Sequence, residues 1–191
     1  MRQADMFVKL GYYFLREGSY DLAVNALAKA IELDSANALA YGLRGEAHGR
    51  QYKYEEAIAD CGMAIQIDNA FAGAYCNRGV SFYKLYRFDE AIEDYNEAIR
   101  LTPDVALLYS NRGLVHYNRD EFVKAILDYN KALDLNPFDS EIYGYCGKAY
   151  ASIGDYEKAI INFDQALLIN PEDIIAYGNR IWAAILGGKA T

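Results

Sequence analysis

Apolar residues recur along this chain at spacings of three, four and seven, the pattern of helices that each bury one face. Small and large residues alternate on those faces, as in Ala23, Leu27 and Ala30, or Ala125, Tyr129 and Ala132. The pattern also repeats on a longer scale: Gly11, Gly45, Gly79, Gly113 and Gly147 are 34 residues apart, and their surroundings recur with them. A period of that size marks stacked copies of one supersecondary unit, none able to bury its apolar face alone.

With the recurring glycine as position 8, the copies occupy 4–37, 38–71, 72–105, 106–139 and 140–173, in a single array over 1–191. A partial copy, 174–187, supplies one closing helix, beginning by the spacing at about Glu172. Position 4 is Phe7, then tyrosine from Tyr41 to Tyr177, and positions 20 and 27 are alanine in every full copy. Small residues at 8, 20 and 27 let two helices approach closely, and large residues at 4, 17 and 24 fill the seam between them. The spacing predicts helix A over about positions 2 to 14 and helix B over about 18 to 31. Pro103, Pro137 and Pro171, with Ser35 and Asn69 in the same slot, stop helix B and open the next copy.

One charge pattern tests the copies against each other. Arg44, Arg78 and Arg112 stand at position 7 of the copies that carry Asp60, Asp94 and Asp128 at position 23; the first and fifth copies lack both. This co-occurrence predicts ion pairs between helices A and B of one repeat. Arg180, at position 7 of the closing helix, has no such counterpart and is expected to reach solvent, a ligand or another chain.

These aligned small and aromatic positions resemble the tetratricopeptide repeat (TPR) family over nearly the whole length. The resemblance implies an all-α, right-handed superhelical solenoid of antiparallel helix pairs, with helix A lining a groove that receives peptides or protein segments. In that family the groove is lined largely by positions 2, 5, 6, 9, 12 and 13. Position 6 carries Asn77, Asn111 and Asn179, and Tyr145 in the fifth copy. A side-chain amide donates and accepts, so an asparagine row can grip an extended backbone whatever its sequence. Tyr12 at position 9, with Tyr83 and Tyr117 at position 12, offers contact area with few rotamers to freeze. Arg50 and Lys84 continue a basic row begun by Arg16 at position 13. The groove positions of the full copies hold Lys9, Arg16, Arg50, Lys84 and Lys148 against Asp5, Glu46 and Glu141, which favours an acidic or neutral peptide.

One subset of the family grips the terminal carboxylate of heat-shock chaperones. In the best frame for that set only Asn77 matches, while Gly42, Glu46, Leu107 and Asn111 do not, so chaperone-tail capture is not expected. In the closing helix, Trp182, Ile185 and Leu186 are more apolar than a lid requires, and they mark a surface for homo-oligomer formation.

Composition narrows the function. The net charge of −8 speaks against a nucleic-acid partner, which needs a concentrated basic face. No apolar run reaches the roughly 18 residues of a membrane span. Met1-Arg2-Gln3-Ala4-Asp5 runs into helical pattern with no apolar leader, so a cytoplasmic address is expected. Cys61, Cys76 and Cys146 share no ligand spacing and read as reduced core or groove-wall residues. His48 and His116, both at position 11, read as packing residues. No phosphate loop, nucleophile elbow or metal set stands outside the repeat pattern, so neither enzyme chemistry nor a cofactor is expected. The expected function is a non-enzymatic adaptor that binds a protein or peptide. The alternatives are a self-assembling scaffold and the recognition domain of a larger protein.

Overall fold

The computed structural model describes residues 3–188; Met1 and Arg2, where the reading of the chain's opening begins, lie outside them. Every helix or strand among the described residues is an α-helix. The first of two compact units, ending at Pro103, contains α1 (Gln3–Arg16), α2 (Tyr20–Leu33), α3 (Ala38–Arg50), α4 (Tyr54–Ile67), α5 (Ala72–Lys84) and α6 (Phe88–Leu101). The second, from Asp104, contains α7 (Ala106–Asn118), α8 (Phe122–Leu135), α9 (Ser140–Ser152), α10 (Tyr156–Ile169) and α11 (Ile174–Gly187). Each odd helix packs against the even helix that follows it. Within a unit, each even helix also packs against the next odd one, and the odd helices lie side by side.

The helices stop one residue sooner than the spacing predicts, and the turn after each odd helix is the reason. Gly18, Tyr52, Tyr86, Asp120 and Gly154 share position 15, and each has a left-handed φ, from 57° at Asp120 to 81° at Gly154. A left-handed residue cannot continue a right-handed helix, so the odd helices end at position 13 and position 14 caps them. Even helices end two residues before the slot of Pro103, Pro137 and Pro171, where the capping N–H donates to the position-27 alanine carbonyl. Asp173 accepts from the backbone N–H groups of Ile175 and Ala176, so α11 begins at Ile174, later than Glu172.

The seam explains the repeating glycine. The alanines at positions 20 and 27, and the residues at position 24, are 0 to 1% exposed, including Leu27, Tyr95 and Phe163. A Cβ on Gly147 would stand 2.7 Å from the Phe163 ring, and one on Gly113 would stand 2.8 Å from Tyr129. The glycine is the room the position-24 side chain occupies. Burying each such aromatic stabilises the hairpin by about 2–3 kcal/mol, so the large–small exchange across the seam carries much of each hairpin's cohesion.

The ion pairs form within repeats. Arg78 donates from Nε and Nη2 to Asp94 at 2.8 and 2.7 Å, and Arg44–Asp60 and Arg112–Asp128 share this two-pronged geometry. Each guanidinium also lies 5.5–5.8 Å from the position-4 tyrosine ring one turn earlier: Tyr41, Tyr75 or Tyr109. The histidines border the same pairs, His48 Nε2 at 3.6 Å from Asp60 and His116 Nε2 at 3.9 Å from Asp128, and His116 Nδ1 bonds Glu121 at 2.6 Å. Arg180 departs from expectation. It pairs with Asp164 on α10. Its guanidinium turns back to the preceding helix.

Candidate functional site

The side chains that the seam leaves over define the candidate face. An odd helix uses positions 4, 8 and 11 against its partner, so positions 2, 5, 6, 9, 12 and 13 turn away from the pairing, one helical stripe along. In the first unit this places Tyr12 on α1, Arg50 on α3, and Asn77, Tyr83 and Lys84 on α5. Tyr12 is 52% exposed. Tyr83 packs 6.0 Å from Phe88, with the Lys84 ammonium 5.6 Å from its ring. Arg16 and Arg50 share the wall of a cavity of about 200 Å³ with Glu46, whose carboxylate lies 3.7 Å from Arg50.

The second unit gathers its candidates more tightly. Tyr145, Lys148 and Asn179, from α9 and α11, line a cavity of about 390 Å³. Lys148 and Asn179 also bound a neighbour of about 250 Å³, walled by Tyr117, Trp182 and Leu186. Tyr145 is held from both sides: its ring stacks 5.9 Å from Tyr129 and its hydroxyl donates to Glu141 at 2.6 Å. Tyr117 packs 5.3 Å from Phe122, its hydroxyl 3.4 Å from Ser152 Oγ. Both rings thus have an aromatic neighbour and a polar contact at the hydroxyl within the fold. Gly144, in the wall of the larger cavity, has nothing within 4 Å of where a Cβ would stand. A mid-helix glycine costs about 1 kcal/mol relative to alanine, and here no packing contact accounts for it; it keeps the cavity wall open.

Asn77 stands in the first unit and Asn111, on α7, in the second, both half-buried. Of the three apolar residues singled out in the closing helix, two line one cavity and the third does not. Trp182 and Leu186 share the face of Asn179 and wall the smaller cavity. Ile185 is outside that lining and lies toward Ile174 and Ile181; those three are 50, 85 and 43% exposed. Lys148 is the residue that sequence reasoning undervalued, because it counts there only as one groove cation among five.

Burial governs the thiols: Cys61 and Cys146 are buried, and desolvation pushes both up to about 12, while Cys76 is half-buried. No bridge joins the three. Among the described residues no cluster of His, Cys, Asp or Glu is placed to hold a metal ion, and no helix is long and apolar enough to cross a membrane.

Helix–turn–helix units with a glycine-fitted seam define a helical-repeat protein. A family model described as TPR repeat matches residues 87–120, and models described as tetratricopeptide repeat match 8–70, 106–139 and 140–173. The chain belongs to the tetratricopeptide repeat family. No curated protein matches it. Among solved structures it is similar to the MamA protein, at 25% identity and a TM-score of 0.77 over 88% of this chain and 92% of that one. It also resembles pilF of Pseudomonas aeruginosa, at 22% identity and a TM-score of 0.82 over 97% and 89%. A third likeness is YrrB, described as a TPR protein with an unusual peptide-binding site, at 20% identity and a TM-score of 0.76 over 92% and 90%. Proteins of this fold are interaction modules.

Proposed function

We propose that this protein is a non-enzymatic adaptor whose odd-helix face holds a segment of another protein. The observation that carries the reading is the state of that face. Its cavities are walled by tyrosines already packed on aromatic neighbours, by amides and by amino groups, so little side-chain freedom is lost when a peptide lies down. In the first unit Asn77 supplies hydrogen bonds to a peptide backbone, Tyr12 and Tyr83 supply area, and Arg50 and Lys84 favour an acidic or neutral peptide; in the second Asn111 and Asn179 supply the hydrogen bonds and Tyr117 and Tyr145 the area, while the net charge of −8 disfavours a nucleic acid. YrrB, with its peptide-binding site, supports the reading by analogy of fold. Three unbridged thiols support a cytoplasmic address.

The test contrasts faces. A photo-crosslinking residue in place of Tyr83 or Tyr145 is expected to yield polypeptide adducts in extract, and the same residue in place of Leu127, 65% exposed on α8, is not. Adducts from Leu127 as abundant as those from the odd helices would remove the face from the argument.

A second reading is favoured by α11, where Ile174, Ile181 and Ile185 are all exposed. There a second copy docks, giving a self-assembling scaffold. Sedimentation across a hundredfold range of concentration checks it: a monomer throughout refutes assembly and leaves the adaptor reading intact.

A further inference from the structure

Lys148 and Asn179 wall both of these cavities in the second unit, and each presents a donor there. The Nδ2 of Asn179 is buried without a hydrogen-bond partner. The Lys148 ammonium lies 5.7 Å from the Tyr145 ring and joins no ion pair among the described residues. Lys148 is also the one charged side chain in the wall of the smaller cavity, whose other walls include Trp182, Ala183 and Leu186. Two donors with no acceptor call for a group that only accepts and carries negative charge, which is a carboxylate. The apolar wall beside them calls for a bulky aliphatic or aromatic side chain.

We infer that the second unit recognises an acidic side chain directly beside a bulky apolar one within an extended partner segment. The carboxylate meets Lys148 Nζ and Asn179 Nδ2, and the apolar side chain packs against Trp182 and Leu186. The larger cavity sets the direction. It carries Glu141 and Asp173, which repel a second acid, so the residue on the far side of the carboxylate is polar or basic. Lys148 and Asn179 belong to both cavities, so the segment runs on through them; an internal stretch fits this arrangement better than a chain end. This inference rests on the odd-helix face being the binding face.

The test is an NMR titration of the full chain with seven-residue peptides, acetylated and amidated at their ends, that carry Leu-Asp or Leu-Asn at the centre of a Gly/Ser sequence. The Asp peptide is expected to bind about tenfold more tightly, the size of one charge-assisted hydrogen bond, and to shift the backbone amides of α9 and α11. Lys148→Gln removes that preference and Lys148→Glu reverses it, each in a variant whose unbound spectrum stays dispersed. Trp182→Ala weakens both peptides alike. Equal affinity of the two peptides for the natural chain, or no shift with either at millimolar concentration, overturns the inference. If the two bind equally and still shift α9 and α11, the binding face itself survives; shifts confined to the even helices remove the face as well. Tighter binding by a peptide ending in a free Leu carboxylate assigns the site to chain ends and also overturns the inference.

Discussion

The Arg–Asp pairs show how unequal two partners in one interaction are. Asp94 is 5% exposed and Arg78 24%, so the carboxylate has lost most of its water and the guanidinium has kept a share. Burial pushes the Asp94 carboxyl up, and the bonds from Arg78 offset that only in part. Net stabilisation by such a pair is small, but breaking it leaves one charge stranded. Arg78→Met is therefore expected to cost about 3 kcal/mol, more than Asp94→Asn, whose loss leaves a guanidinium that water still reaches. Arg78→Met with Asp94→Leu should recover much of the loss, because the stranded charge is gone. Urea unfolding of the three variants measures this, and equal losses from the two single changes would contradict the account.

Among the elements, the turn between paired helices is where local strain is visible. Tyr86 is 81% exposed and holds φ 60° at a position where Gly18 and Gly154 are at ease. Its one ring contact is an edge-on approach to Phe88 at 6.0 Å. A left-handed conformation costs a side-chain-bearing residue about 1–2 kcal/mol, offset in part by the extra freedom glycine gives the unfolded chain. Tyr86→Gly is expected to be neutral or to stabilise by up to about 1 kcal/mol, and Gly154→Val to destabilise by about 1–2 kcal/mol. Thermal unfolding distinguishes them: a Tyr86→Gly loss comparable to that of Gly154→Val would show that the tyrosine side chain holds the turn.

For the molecule as a whole, each unit carries one fully buried thiol that reports on its own opening. Cys61 sits in the first and Cys146 in the second, both 0% exposed. A thiol raised to about 12 is thiolate in only roughly one part in ten thousand at pH 8, and that fraction rises tenfold with each pH unit toward 12. Iodoacetamide at pH 8 should leave both unmodified in the folded protein and alkylate them once denaturant opens the units. Mass spectrometry reads the two sites separately; fast alkylation of either without denaturant would contradict its burial. Much of this architecture was legible in the amino acids, because the seam is a one-dimensional register: a glycine faces the residue sixteen places on, and an arginine faces an aspartate at the same separation. What escaped was whatever broke that register. Arg180 reaches sixteen residues back instead of forward, and the left-handed tyrosines are not turn-forming residues, although Gly18 and Gly154 in the same slot were a clue. The candidate face was legible as a set of positions, and its division was not: Asn77 and Asn111 belong to different units, and Trp182 lines a cavity that Ile185 does not.

Trp182 is the only tryptophan in the chain, 66% exposed in the wall of the smaller cavity. Its indole emission, excited apart from that of the eighteen tyrosines, starts from a largely hydrated fluorophore. Any occupant that covers it must move that emission to shorter wavelength, so the unlabelled protein carries its own optical gauge of whether the cavity is filled.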